Sequence, residues 1–249
     1  MQLYPAIDLL AGQSVRLTQG DYRQVSLTAD PLTQVKNLTA AGLKHLHLVD
    51  LDGARSQQPI NQAVISMIRQ HTPAFIELGG GIRTLAIMDH YLNAGIDRLI
   101  LGSVAVTNSE LVTQAVQKFG ADKIAVGIDT RAGKVATDGW LTTSTQSPTH
   151  LMQAMVRRGV TTFIVTDIGR DGMMKGPNVA LLAMLHQNVP NVNIVASGGV
   201  HTLADLTALQ TAGIQAAVIG KAWQTGSFPL NKLKQLEDND ADKTHYSMP

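Results

Sequence analysis

A chain of 249 residues, 44% hydrophobic and 16% charged, can bury a large core, and its formal net charge of +1 gives no field for holding nucleic acid or an anionic membrane surface. It has no cysteine, so disulfides, thiolate nucleophiles and Cys-ligated metals are excluded. The opening Met1-Gln2-Leu3-Tyr4-Pro5 lacks the basic head and long apolar run of a signal peptide, and no stretch reaches membrane-spanning length, so a soluble cytoplasmic protein is expected.

In chain order, short apolar runs alternate with amphipathic stretches. Runs at 3–7, 45–49, 74–78, 98–101, 124–128, 162–166, 193–196 and 216–219 read as strands. They are too short for helices and mostly lack polar alternation, as strands covered on both faces should. Thr84 caps a stretch that carries Leu85, Met88 and Leu92 on one face and stops at Gly95; Thr202 and Gly213 bracket its counterpart. Further helices are predicted over 31–41, 60–71, 108–119, 148–158, 178–187 and 229–237, and the polar residues from 237 onward read as a solvated, disordered tail. Met67, Met88, Met152, Met155 and Met184 fall on helix faces as core filler.

The chain also repeats itself. A shift of 118 takes Gly80-Gly81 to Gly198-Gly199, Thr84-Leu85-Ala86 to Thr202-Leu203-Ala204, and Gly102 to Gly220. A shift of 117 takes Asp50 to Asp167, and one of 121 takes Ile7-Asp8 to Ile128-Asp129 and Ala11-Gly12 to Ala132-Gly133. Alternating βα units with a two-copy repeat predict a closed (β/α)8 barrel of the TIM type rather than an open doubly wound sheet. The expected organisation is one α/β domain over 1–249, made of half-barrels at about 1–121 and 122–236 with a polar tail at about 237–249.

In such a barrel, chemistry sits at the C-terminal strand ends. Those positions hold Asp8, Asp50 and Asp52, Gly79-Gly80-Gly81, Gly102-Ser103, Asp129, Thr166-Asp167, Ser197-Gly198-Gly199 and Gly220-Lys221. Glycines let backbone N–H groups approach an anion, and helix N-termini add partial positive charge. Gly198, Gly199, Gly220 and Lys221 stand at the usual phosphate location of the fold, and Gly81, Gly102 and Ser103 form its repeat copy on the opposite side. The implied ligand is long, with a phosphate at each end. Asp8 and Asp129 end facing strands midway between the two sites, where one carboxyl can give a proton while the other takes one. The donor of that pair needs a pKa raised above the usual carboxylate range. Asp50 and Asp167 suit either a direct role or the holding of rim loops.

Several segments are together similar to one family. Pro5-Ala6-Ile7-Asp8-Leu9, Val15-Arg16-Leu17, Gly20-Asp21-Tyr22, His47 through Ala54, Gly79 through Arg83, Thr166-Asp167-Ile168, Arg170-Asp171-Gly172, Gly176-Pro177-Asn178 and Ser197-Gly198-Gly199 resemble the histidine-biosynthesis isomerases that act on phosphoribosylformimino-5-aminoimidazole carboxamide ribotide. The resemblance covers residues 1 to about 230. It implies an Amadori rearrangement of an aminoaldose to an aminoketose, with no metal and no organic cofactor. By this resemblance Asp8 is the general base, Asp129 the general acid, and Arg16, Arg83 and Trp140 contact the substrate. Thr166 and Asp171 lie where the family positions the substrate and supports the base, and Gly176 joins the substrate-binding set.

The only partner expected is the small bisphosphorylated substrate, bound by a monomer without an obligate glutaminase subunit. A sibling cyclase barrel shares both aspartates but needs a Lys after the first strand, where this chain has Val15-Arg16-Leu17. An isomerase that also takes phosphoribosylanthranilate stays open, as does a non-catalytic phosphosugar-binding barrel, against which the paired aspartates argue. The segments 9–28, 130–147 and 169–178 read as long loops suited to closing over the site, and His201, the repeat counterpart of Arg83, stands near the second phosphate location.

Overall fold

The computed structural model describes residues 1–245, with side chains through Asp238. Its strands are β1 (Gln2–Leu10), β2 (Gln13–Thr18), β3 (Asp21–Ala29), β4 (His45–Asp50), β5 (Phe75–Gly79), β6 (Arg98–Leu101), β7 (Ile124–Arg131), β8 (Lys134–Thr137), β9 (Thr142–Thr143), β10 (Thr162–Asp167), β11 (Asn193–Ser197) and β12 (Ala216–Ile219). Eight of them, in the order β1-β4-β5-β6-β7-β10-β11-β12, pair in parallel, and β12 pairs back onto β1. The sheet is therefore a closed barrel with no edge, its crossovers made by helices, as the alternation of runs predicts.

Each barrel strand divides its side chains by parity, because successive residues point to opposite faces. On β1, Leu3, Ile7 and Leu9 join the large apolar cluster beneath the helices, whereas Tyr4 and Ala6 join a smaller cluster in the lumen with Ile100, Ala125, Ile164, Val195, Ala216 and Val218. The outer layer is completed by residues such as Val112 and Ala115 of helix Ser109–Phe119 and Leu206 and Leu209 of helix Leu203–Thr211. These helices start where local chemistry satisfies their free N–H groups. Asp30 accepts from Thr33 N ahead of Pro31, and Thr202 with Asp205 forms a capping box. Met88, Met152 and Met155 fill this layer, but Met67 and Met184 are 40% and 37% exposed, so those two are surface residues rather than filler.

Two of the segments expected to be open loops are hairpins. β2 folds back antiparallel on the extended end of β1, and β8 does the same on β7. Both turns are Ala-Gly pairs with positive φ at each residue, 49° and 78° at Ala11-Gly12 and 49° and 75° at Ala132-Gly133, the geometry of a two-residue hairpin turn. The final helix, Leu230–His245, runs through most of the segment expected to be a disordered tail. Glu237 within it is buried at the N-terminal face of the barrel, accepting from Lys44 N at 3.2 Å and lying 3.0 Å from His45 Nδ1. The remaining tail residues, 246–249, lie outside the described residues. Among the described residues no helix is long and apolar enough to cross a membrane.

Candidate active site

The rim is braced twice by the same device. Asp50, with no exposed surface, accepts from the backbone N–H groups of Gly53, Ile60 and Asn61 and from Asn61 Nδ2 at 2.7–3.0 Å. Asp167 accepts from Gly169 N at 2.9 Å and Asn178 Nδ2 at 2.7 Å. Both carboxylates are spent on loop backbone and the first residues of the next helix, so they hold the rim and do not line the cavity. The double glycines follow from these braced loops: a Cβ on Gly80 would stand 2.2 Å from Asp50 O, and one on Gly199 would stand 2.3 Å from Gly176 O. Gly176 thus lies behind Gly199, donating its N–H to Gly199 O at 3.0 Å, and is not on the cavity wall.

A cavity of about 230 Å³ opens at the C-terminal strand ends. Asp8 and Asp129 line it from β1 and β7, which are four positions apart in the eight-strand ring and so face each other. Asp8 Oδ2 is 2.6 Å from Arg16 Nη1. Arg16, 7% exposed on β2, is itself held through Nε by Gln224 at 2.8 Å and through Nη2 by Ala6 O. Burial pushes the Asp129 carboxyl above its usual range, against the hydrogen bonds from Trp140 and Thr166. Asp171 also faces the cavity, and burial, reinforced by the charge of Asp8, pushes its carboxyl up to about 6.

The two glycine sets line opposite sides of this same cavity: Gly81, Arg83, Gly102 and Ser103 on one, Gly198, Gly199, Gly220 and Lys221 on the other. Gly102 and Gly220 precede the short helices Ser103–Thr107 and Lys221–Gln224 with nearly identical backbone angles, φ −90° and ψ −103° against φ −94° and ψ −106°. Arg83 Nη2 reaches Asp138 Oδ1 at 3.3 Å, and Ser103 Oγ accepts from Asp138 N at 2.8 Å, so the β8–β9 connection is tied down onto the first set. His201 is not on the wall; its N–H donates to Asp205.

Three rim segments meet above the cavity. The Trp140 ring packs so tightly on the β2–β3 turn that a Cβ on Gly20 would lie 2.2 Å from it. Gln19 Nε2 donates to Gly169 O at 3.2 Å, joining the same turn to the loop after β10. Trp140 Nε1 donates to Asp129 Oδ2 at 2.7 Å, which connects this cover to one of the facing aspartates.

The model of the family described as "Histidine biosynthesis protein" matches residues 2–229. The chain belongs to that family. It is 69% identical over 237 residues, covering 95% of this chain and all of its relative, to a protein of Lacticaseibacillus paracasei named 1-(5-phosphoribosyl)-5-((5-phosphoribosylamino)methylideneamino) imidazole-4-carboxamide isomerase. Relatives of the same name from Leuconostoc mesenteroides and Listeria welshimeri are 52% and 45% identical, over 94% and 96% of this chain and 99% of each relative.

Within this histidine biosynthesis barrel, sequence reasoning overlooked His47 and Gln224, while Met174 falls in the 169–178 segment expected to close over the site. His47 lines the wall from β4, Met174 lines it from the loop after β10, and Gln224 braces Arg16 from behind. The parity of β4 was the available signal for His47. Once Leu46 and Leu48 are placed outward, His45, His47 and Val49 must face the lumen.

Proposed function

We propose that this chain catalyses the aldose–ketose isomerisation its relatives are named for, an Amadori rearrangement of the bisphosphorylated imidazole carboxamide ribotide, with Asp129 as acid and Asp8 as base. The observation that carries the reading is the pair of aspartates facing each other across one cavity that has a glycine set at each side. A ligand with phosphates at both ends spans from Gly102-Ser103 to Gly220-Lys221, which centres its ribose between the carboxyls. Asp129, whose carboxyl burial pushes above its usual range, gives its proton to the ring oxygen, and the ring opens as the nitrogen lone pair forms the C1′=N bond. Asp8 then takes the C2′ proton. That electron pair becomes the C1′=C2′ bond while the C=N pair returns to nitrogen. Loss of the 2′-hydroxyl proton and protonation at C1′ yield the aminoketose.

The roof formed by Trp140, Gly20 and the loop after β10 excludes water from the Schiff base, which hydrolysis would otherwise destroy. A cyclase barrel would need a lysine after the first strand; here Arg16 fills that space on the Asp8 carboxylate, which supports an isomerase acting without a glutaminase subunit. Turnover assays with the aminoaldose ribotide and, in parallel, phosphoribosylanthranilate test the reading. Conversion of the first substrate is expected, and no turnover of it by folded protein would overturn the assignment; the second assay decides whether the enzyme has two substrates.

A further inference from the structure

Below the cavity the lumen holds a chain of ionisable side chains that the reaction above does not use. His47, Glu77 and Arg98 occupy register partners on the adjacent strands β4, β5 and β6. His47 Nδ1 lies 2.6 Å from Glu77 Oε1, Arg98 Nε donates to Glu77 Oε2 at 3.1 Å with Nη2 on the same oxygen, and Arg98 Nη2 also donates to Tyr4 OH at 3.1 Å. Glu77 has no exposed surface, and the other three are 2–9% exposed. Burying an ion pair costs several kcal/mol per ion before attraction offsets it, and apolar residues of similar size serve a barrel lumen at least as well for stability. Packing alone therefore does not account for the charges. They have a geometric product, however: with Nδ1 fixed by Glu77, the edge of the imidazole left to the cavity is Nε2.

We propose that His47 is a positioning residue for the acid step: the buried Glu77–Arg98 pair fixes its ring so that Nε2 is presented to the cavity it shares with Asp129 and Asp171. The inference rests on the isomerase reading of the cavity. The ionisable groups around the ring are Tyr4 and Asp8 from β1, Arg16 from β2, His45 on its own strand, Glu77, Arg98, Asp129 from β7 and Asp171 after β10. Among these groups His47 is the one that the Glu77–Arg98 pair holds toward the cavity. Its charge favours the ionised form of both Asp129 and Asp171, opposing the burial that holds their protons. A positive charge there thus eases release of the acid's proton.

Asp129 acts while protonated, so kcat falls as pH rises through its titration. Without a cation nearby the proton is held to higher pH. His47→Asn keeps a donor toward Glu77 but cannot ionise, and should move the alkaline limb of the kcat profile upward by about one pH unit, with kcat at pH 7 lowered roughly tenfold and KM little changed. Glu77→Gln combined with Arg98→Met removes the pair that fixes the ring without leaving a buried carboxylate or guanidinium unpaired, and should move the limb the same way by less. Titration of the Asp129 carboxyl by ¹³C NMR in the substrate-free protein should show the same upward displacement in His47→Asn, and it needs no turnover, so it separates failure of this inference from failure of the isomerase reading. An Asp129 titration that stays in place or moves down in folded His47→Asn would overturn the proposal, whatever happens to kcat.

Discussion

Trp140 donates its indole N–H to Asp129 from a backbone held at φ 70°, in a run of three left-handed residues that begins with Asp138. A tryptophan has no intrinsic preference for that region, and each such residue costs on the order of 1 kcal/mol or more. The surrounding ties, Ser103 to Asp138 N and Arg83 to Asp138, hold the turn in place and aim the indole inward. The strain is thus set where the cover meets the buried Asp129 carboxyl.

Replacing Trp140 should therefore affect two observables. Its hydrogen bond lowers the Asp129 pKa, so Trp140→Phe should move the alkaline limb of kcat upward, as loss of a stabilising donor dictates. Trp140→Ala should also reduce hydrogen-exchange protection over 130–147 in the presence of a substrate analogue, with little change in Tm. Equal protection of that segment in wild-type protein with and without analogue would remove the moving-cover idea and leave Trp140 as a fixed anchor.

The facing aspartates make the plainest prediction. Asp8→Asn and Asp129→Asn should each lower kcat by roughly 10²–10⁴-fold while substrate affinity is largely kept, since an amide can neither give nor take the proton. Retention of more than about a tenth of wild-type kcat by either variant would refute its assigned role.

Phosphate should act as a fragment of the substrate. Inorganic phosphate is expected to inhibit competitively and, in a soaked crystal, to occupy the sites at Gly102-Ser103 and Gly220-Lys221. Density at neither site would end the case for a ligand with two phosphates.

Asp171 links the site to stability. Its folded carboxyl keeps its proton up to about pH 6, against an ordinary value of 3.8, so the folded state binds more protons between those values and is destabilised as pH rises through them. Asp171→Asn should remove that loss, raising stability by about 1–2 kcal/mol at pH 7 after allowance for partial exposure, with little gain at pH 4. Thermal melts at the two pH values read the difference directly; an equal change at both would contradict the assignment of the penalty to Asp171.

Asp50 should behave oppositely. Asp50→Ala strands three backbone donors in a buried loop, which should cost about 3 kcal/mol or more and lower Tm by roughly 6–12 °C. A melt within about 2 °C of wild type would show that water replaces the carboxylate freely.

Much of this was legible beforehand because it is local. Buried runs, helix caps and glycine pairs declare themselves within a few residues, and the repeat placed Asp8 opposite Asp129 once a closed barrel was accepted. What stayed hidden depends on separation in sequence. The role of Asp50 is decided by Asn61, eleven residues away, and that of Asp167 by Asn178 at the same interval, and neither aspartate alone reveals its partner. The hairpins were hidden for a different reason. Ala-Gly is a weaker turn signal than Asn-Gly or Asp-Gly, so two paired ribbons looked like loops. Glu77 and Arg98 sit inside runs that otherwise read as apolar, and only strand register brings them beside His47.

The parity of the barrel wall has a consequence for how this protein tolerates change. Along β1, moving by a single residue crosses from the layer under the helices to the lumen, so neighbouring positions answer to different selective demands. A saturation screen scored separately for soluble expression and for growth dependent on the enzyme should show a two-residue rhythm along each strand. Leu3, Ile7 and Leu9 would register in the first score, and Asp8, set between the last two, in the second. Laboratory evolution could then rework the catalytic lumen and the supporting shell as nearly independent libraries, even though they share the same short stretches of chain.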